Sequence, residues 1–498
     1  MTADTAFERL DRILRESYPG ADLDIVKRAY VFAADAHRLQ KRASGEPYII
    51  HPLATATTLA EMRLPIPIIV AGILHDVPED TERTLEDVET EFGPEVAKLV
   101  AGITKLGKIK YRGMERYIEN LRKMFLAMAE DVRVVVIKFA DRLHNLETLD
   151  AIPPKKQYRV ALESLEIYAP IASRLGMGEM KGRLEDAAFK YVYPKEFDWT
   201  RKIVEATAVE RQTYLDNVMR ETTDSLVEAG LKEVEVHGRA KHLYSTYRKL
   251  LKNERNIARI YDLMAMRVIV PTVGDCYAAL GIIHGRWTPL KGRIKDYMAQ
   301  PKPNGYQSLH TTVFCDDGEI VEFQIRTPEM HRAAEYGIAA HWSYKVVDPS
   351  KPAPESNIDW VGQLADIQQE LVDKKTYMSS LEELKIDVFK DRIFVFTPKG
   401  DVIDLPDEST PVDFAYAIHT DIGNTCTSAK VNDELAPLER TLKSGDIIEI
   451  MTDKNRKGPN PDWLKFVKTH HAKSKIRQYA RAGITAWIRG VGKLLGTN

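Results

Sequence analysis

Residues 301–312 read PKPNGYQSLHTT, and residues 321–327 read VEFQIRT. In the second stretch Val321, Phe323 and Ile325 alternate with Glu322, Gln324 and Arg326. This period of two predicts a strand that buries the first set and presents the second. An acid, an amide and a guanidinium then share one face. Upstream, Pro303-Asn304-Gly305 predicts a tight turn with Tyr306 and Gln307 at its exit. Tyr306 is placed to stack on a base, and Lys302, His310 and Arg326 to meet phosphate oxygens. A half-buried strand with a solvated polar face is the plainer reading of one such alternation, but further anion-binding signals upstream weigh against it.

Those signals begin at 238–251, GRAKHLYSTYRKLL. On a helix Lys241, Ser245 and Lys249 form one polar stripe, and Leu243, Tyr247 and Leu250 the apolar one. Arg239 and Lys241 fall near the helix N-terminus, where backbone N–H groups and the dipole already favour an anion. IYDLMAMRVIV (260–270) reads as a strand entered through Asp262, and GRIKDY (292–297) adds Arg293, Lys295 and Asp296. Two acids in separate segments, Asp262 and Glu322, amid lysines and arginines suit a magnesium ion bridging a polyphosphate.

These stretches, with MHRAAEYGIAAHW at 330–342, resemble the synthetase domain of the long Rel/SpoT homologues, enzymes that make and degrade the alarmone (p)ppGpp. The resemblance implies transfer of the β,γ-pyrophosphate of ATP to the 3′-hydroxyl of GDP or GTP. It implies Mg²⁺ at Asp262 and Glu322, with Glu322 also near the attacking hydroxyl. Tyr306 would stack the guanine, and Arg239, Lys241, Ser245 and Lys249 would serve ATP. Arg293, Lys295, Lys302, Asn304, Gln307, His310, Gln324 and Arg326 complete the expected nucleotide contacts. The Arg-x-Lys-Asp form at 293–296 resembles the bifunctional members and implies a preference for GDP.

A second constellation occupies the N-terminal third. His51 closes RASGEPYIIHP, His75 and Asp76 stand together in GILHDVPEDT, and Asp141 lies in VVVIKFADRLHNLETL. Two imidazoles and two carboxylates suit a divalent transition metal with positions left open for water and phosphate. Asp141, His144, Asn145 and Thr148 follow i, i+3, i+4 and i+7, so one helical face carries them all. Pro78 predicts that the helix bearing His75 and Asp76 ends at Val77, with Glu79 and Asp80 on the following turn. This region resembles the HD hydrolase domain of the same family over about residues 25–160. The resemblance implies Mn²⁺ held by His51, His75, Asp76 and Asp141, a water oriented or deprotonated by Glu79 and Asp80, and nucleotide contacts from Arg42, Asn145 and Thr148. Two positions depart from the family form: Ala43 replaces a lysine and Pro78 an aliphatic residue.

The 498 residues, 44% hydrophobic and 29% charged, suit a soluble protein of three or four domains. Met1–Leu14 lacks an apolar signal core, and the longest apolar run, Ile66–Leu74, is too short to span a bilayer. No membrane partner and a cytoplasmic location are expected. Cys276, Cys315 and Cys426 are widely spaced, which indicates neither a disulfide framework nor a zinc site.

Residues 160–235 read as charged helices, either a packed spacer or a transmitter of motion between the two nucleotide sites. Two opposed activities in one chain lead us to expect that nucleotide in one site lowers turnover in the other. VVDPSKPAPESN at 346–357 has linker composition. IFVFTPKGDVIDL predicts a hairpin turning at Pro398-Lys399-Gly400, and the unit around it resembles a TGS domain, which implies contact of His419 with the 3′ end of uncharged tRNA on the ribosome. Capping its own helix is the alternative role for His419. Residues 453–498 hold eleven Lys and Arg against two Asp and Glu, a net +9 in a chain whose total is −2, which suggests RNA or an acidic surface as neighbour. Longer family members continue with a cysteine-containing module and an ACT-type domain, neither of which lies within these residues.

The expected architecture is multidomain α+β. An all-α HD hydrolase domain takes residues 1–160 and a helical connector 161–235. A mixed α/β, nucleotidyltransferase-like synthetase domain follows at 236–345, then a linker at 346–385, a small ubiquitin-like TGS domain at 386–452, and the basic start of a helical regulatory region at 453–498. A bifunctional enzyme is the favoured function. A hydrolase with a silent synthetase is opposed by intact Asp262, Tyr306 and Glu322, and a pure tRNA or ribosome sensor by two catalytic sets.

Overall fold

The computed structural model describes residues 2–107, 113–206, 208–238, 241–255, 264–302, 304–340, 342, 392–443, 445–453, 455–456 and 458–480. The expected linker at 346–385 lies outside them, as do Arg239 and Asp262. The chain divides into two compact units, Met1–Asp366 and Ile367–Asn498.

The first unit begins all-helical: α1 (Ala3–Ser17), α2 (Asp24–Ala36), α3 (Ile50–Glu61), α4 (Ile66–Leu74), α5 (Val77–Asp80), α6 (Leu85–Phe92), α7 (Pro94–Gly107) and α8 (Gly113–Glu147). α4, IPIIVAGIL, is apolar on every side and therefore sits inside the bundle; Ile68, Ile69, Val70, Ile73 and Leu74 are fully buried. Each such side chain contributes roughly 1.5–3 kcal/mol. Asp131 interrupts α8 with extended backbone angles. Pro78 does separate two helices, but the break falls earlier than expected: α4 stops at Leu74, and Glu79 and Asp80 lie within the one-turn helix α5, whose second residue is Pro78. Proline is tolerated there because first-turn N–H groups have no helical partner.

After α9 (Pro154–Glu163), the region expected as a connector, 161–235, is helical through a π-helical turn (Ser164–Tyr168), α10 (Ala169–Arg174), α11 (Gly178–Val192), α12 (Pro194–Ala206) and α13 (Ala208–Glu228). Beyond it come β1 (Glu235–Gly238), α14 (Leu243–Lys252), β2 (Ala265–Ile269), α15 (Val273–Arg286), β3 (Thr288–Pro289), β4 (Lys295–Asp296), β5 (Leu309–Phe314), β6 (Ile320–Arg326) and α16 (Pro328–Tyr336). They build a mixed sheet of order β1-β2-β6-β5-β3, with β4 pairing β5; only β2 and β6 run parallel. Val321, Phe323 and Ile325 enter its core beside Val268 and Trp287.

The plainer reading, a solvated polar face on β6, does not hold: Gln324 and Arg326 are 4% and 1% exposed. Glu335 of α16 forms ion pairs with Arg326 and with Arg267 of the neighbouring strand, at 3.4 and 2.7 Å. Lys241 does correct the sequence reading. It precedes the helix, which starts at Leu243, so it flanks the N-terminus and does not extend a three-residue stripe.

The second unit holds the expected hairpin, β7 (Arg392–Phe396) with β8 (Val402–Pro406), then α17 (Pro411–Ile418), α18 (Thr420–Thr425), β9 (Cys426–Val431), β10 (Glu434–Ala436) and β11 (Ile448–Thr452). Gly400 adopts φ +91°, the left-handed turn conformation that favours glycine. The basic segment beyond β11 does not stand apart from the rest of the unit. Trp463, Val467, Ala472 and Ile476 pack on Val412, Ala415 and Tyr416 of α17. The buried Asp413 carboxylate accepts the N–H groups of Lys468 and Thr469.

Two candidate functional sites

In the helical bundle, α3 carries His51, the C-terminal end of α4 positions His75 and Asp76, and α8 carries Asp141. One ligand atom each from His51, His75 and Asp141 lies within 4.8 Å of the others. Asp76 adjoins them, with Oδ1 3.2 Å from His75 Nε2 and Oδ2 3.6 Å from His51 Nε2. The ring nitrogens are sorted by their outer partners. His75 Nδ1 donates to the Gly72 carbonyl at 2.8 Å, so Nε2 faces the cluster; that atom is buried and has no hydrogen-bond partner. His51 Nδ1 meets His144 Nδ1 at 2.8 Å. Burial first, then the charges of His51 and Arg42, push His144 down to about 3, so it stays neutral and can accept from His51. His51 Nε2 is thereby turned to Asp141 at 3.1 Å. Burial works against a charged His75, yet Asp76 and Asp141 hold it up to about 9. Burial likewise opposes the Asp76 and Asp141 anions, but the histidines and, for Asp141, Lys138 at 2.6 Å keep both carboxyls well below the usual range. An orphaned, inward-facing imidazole nitrogen beside two held carboxylates is a donor set that fits a divalent cation.

Arg42, Asn145 and Thr148 come together as expected: the Arg42 guanidinium donates to Asn145 Oδ1 and Thr148 Oγ1, both at 3.0 Å. They line a cavity of about 410 Å³ with Asp141. Glu79 is half-buried on α5, whereas Asp80 is exposed and reached by the Tyr48 hydroxyl at 2.9 Å. Sequence reading missed five further cations that line the same cavity, Lys41, Lys138, Arg142, Lys156 and Arg159. The signal for two of them was present, since Lys138, Asp141, Arg142 and Asn145 also repeat at i, i+3, i+4 and i+7. Arg142 is held from behind by the Tyr168 hydroxyl at 2.8 Å and by Glu163.

The second site spans the sheet and α14. Lys241, Ser245, Lys249, His310, Glu322 and Gln324 converge on a cavity of about 270 Å³. Ser245 and Gln324, with Asn304, Tyr306 and Arg326, line a second of about 210 Å³, whose far wall is the connector from Ser173 to Glu185. The turn that delivers Tyr306 closes as Gly305 N–H donates to the Lys302 carbonyl, and Gly305 takes φ +77°. His310 is spent on protein partners: Nδ1 lies 2.9 Å from Glu322 Oε1, and Nε2 2.7 Å from the Tyr306 hydroxyl. With Glu322 accepting, the phenol donates to Nε2, and the ring ties the stacking tyrosine to the acid. Burial opposes the Glu322 charge, yet His310, Gln324 and Lys249 hold it down to about 2. The Lys302 ammonium sits 4.5 and 4.9 Å from the ring centres of Tyr297 and Tyr306. Four of the described predicted contacts stay outside these cavities. Lys302 sits over the two tyrosine rings, Arg293 and Lys295 are exposed, and the Gln307 amide donates to the Met298 carbonyl. His419, in the second unit, caps α18 by accepting from Asp421 N–H, with its side chain 66% exposed.

Comparison with known proteins defines the class first. Residues 29–178 match the HD domain family, 238–348 the region found in RelA / SpoT proteins, and 393–452 the TGS domain. Guanosine-3′,5′-bis(diphosphate) 3′-pyrophosphohydrolase of Aquifex aeolicus is 46% identical over 475 residues, 95% of this chain and 67% of that protein. GTP pyrophosphokinase of Myxococcus xanthus is 47% identical over 482 residues, 96% of this chain and 63% of that protein. Bifunctional (p)ppGpp synthase/hydrolase RelA of Mycobacterium tuberculosis is 47% identical over 486 residues, 96% of this chain and 65% of that protein. The chain belongs to the RelA/SpoT family and spans 63–67% of the length of these relatives. Among the described residues no helix is long and apolar enough to cross a membrane.

Proposed function

We propose that this chain both makes and breaks (p)ppGpp, each at its own site. The observation that carries the reading is the pairing, in one unit, of a buried His51–His75–Asp141 cluster with a separate cleft in which Glu322 is held as an anion among lysines.

In hydrolysis, His51, His75, Asp76 and Asp141 would hold Mn²⁺, which when bound supplies Lewis-acid polarisation and charge neutralisation. Glu79 and Asp80 orient a water and take its proton as its oxygen attacks the phosphorus attached to the ribose O3′. The P–O3′ bond breaks, pyrophosphate leaves, and the 3′-hydroxyl regains a proton. Arg42, Asn145 and Thr148 orient the nucleotide, and the cations of the cavity wall match its phosphates.

In synthesis, Asp262 and Glu322 would hold Mg²⁺, and Glu322 takes the proton of the acceptor 3′-hydroxyl as its oxygen attacks the β-phosphorus of ATP; AMP leaves. Tyr306 stacks the guanine of GDP or GTP, while Arg239, Lys241, Ser245 and Lys249 serve ATP. Arg293, Lys295, Lys302, Asn304, Gln307, Gln324 and Arg326 assist, with His310 anchoring Glu322. The second unit, with exposed His419 and its basic extension, meets uncharged tRNA on the ribosome.

The test is to measure, in one preparation, Mn²⁺-dependent pyrophosphate release from ppGpp and Mg²⁺-dependent AMP formation from ATP with GDP or GTP. Both activities are expected. Release alone would leave a hydrolase with a silent synthetase, and neither activity would overturn the reading.

A further inference from the structure

Tyr48 enters no role described so far, yet its hydroxyl reaches two acids of the hydrolase site, Asp76 and Asp80. It stands at the end of a loop that folds back on itself: Tyr48 N–H donates to the Gln40 carbonyl, and Lys41 and Pro47 pair in a short bridge. From this strap the side chains reach two walls. Arg42 goes to Asn145 and Thr148 near the end of α8. Gln40 donates its amide to the Asp80 carbonyl at 2.5 Å, which fixes the strap to α5. Between them the Tyr48 hydroxyl lies 2.8 Å from Asp76 Oδ2 and 2.9 Å from Asp80 Oδ2. Its ring is stacked on His37 and has the Arg42 guanidinium 5.8 Å from its centre.

A phenol has one proton to donate, so it serves one of these carboxylates at a time. The two acids have different roles in the reading above, one facing the cation and the other the water. We propose that Tyr48 is a positioning residue of the hydrolase site, resting on that reading: its hydroxyl couples the carboxylates of Asp76 and Asp80. The O–H given to Asp76 aims that carboxylate at the cluster, and the Asp80 carboxylate, held against the same hydroxyl, is kept where it orients the water. Without the hydroxyl, Asp76 loses the outer partner that aims it at the cluster. Groups that orient a metal-binding side chain in this way are typically worth 10–100-fold in affinity or activity. The ring is a separate matter: it supports Arg42, which a phenylalanine would still do.

The test compares the unaltered chain with Tyr48→Phe by two readouts. The first is Mn²⁺ affinity, from the electron paramagnetic resonance of free Mn²⁺ during titration. The second is the kcat and KM of pyrophosphate release from ppGpp. Circular dichroism and a single cooperative unfolding transition establish that both proteins are folded. The expected result is Mn²⁺ binding weakened ~10-fold or more and kcat lowered ~10–100-fold, with KM for ppGpp changed less than about threefold. Unchanged Mn²⁺ affinity and kcat would overturn the proposal, as would a raised KM at constant kcat, which would make Tyr48 a substrate contact. Absence of Mn²⁺ binding by the unaltered chain would overturn the metal reading itself and this proposal with it.

Discussion

The two sites of the first unit are built by opposite means. The His51–Asp141 cluster is set on helix ends and faces of one apolar bundle, and each metal-capable side chain has a protein partner behind it: Gly72 for His75, His144 for His51, Lys138 for Asp141. The Glu322 cleft is assembled from a strand, a turn, a helix start and the connector, and its order comes from side chains spent on one another, His310 between Glu322 and Tyr306 above all. A rigid bundle can hold ligands ready for a small cation; a cleft walled partly by the connector depends on how that connector packs.

The strongest way to break this contrast is Glu322→Gln. It should lower AMP formation ~10²–10⁴-fold, the usual worth of a general base, while pyrophosphate release from ppGpp persists. Parallel assays of both products check this, and loss of both would mean that the cleft and the cluster are not separate.

Packing of the connector is sharpened by Gly337→Ala. Gly337 takes φ +55°, and a Cβ there would stand 2.1 Å from the Leu175 carbonyl oxygen and 2.6 Å from Met177 N. Overpacking against backbone together with left-handed strain should cost about 3 kcal/mol in urea unfolding of the chain. A smaller loss would show that α16 and the connector loop part easily.

His242 offers a milder perturbation of the same seam. Hydrogen bonds that its ring donates to Asp186 and Glu179, both on α11, raise it to about 9, above the usual imidazole value of 6.5. A raised folded pKa gives stability that is fully present below pH 6.5 and lost as pH climbs through 9. The connector contact should therefore weaken by on the order of 2 kcal/mol across that window. Unfolding at pH 6 and pH 9.5 should show this difference in the unaltered chain and little of it in His242→Gln.

On the hydrolase side, Arg42→Ala should raise KM for ppGpp by ~10-fold with Mn²⁺ affinity unchanged, because Arg42 touches Asn145 and Thr148 and none of the cluster. A drop in Mn²⁺ affinity would mean that the strap, and not only its arginine, maintains the cluster.

Legibility in the sequence follows the same division. Asp141, Asn145 and Thr148 were readable as neighbours because helical spacing alone brings them together, and His51 and His75 declared themselves by chemistry. β6 was readable as a strand from its alternation. Its second buried face was not, because Arg326 and Gln324 are polar, and only the parallel pairing with β2 brings Arg267 beside them under Glu335. The His310–Glu322 contact likewise depends on the antiparallel pairing of β5 with β6, a long-range choice that no local pattern encodes. Tyr48 escaped notice because its partners lie 28 and 32 residues away.

The central claim is that one chain holds two independent sets of chemistry. It is tested most directly by Asp76→Asn, assayed for both reactions in a single preparation. The account predicts that Mn²⁺-dependent pyrophosphate release from ppGpp disappears while AMP formation from ATP and GDP continues. Loss of both activities together in a folded protein, or release that survives the substitution, would contradict it.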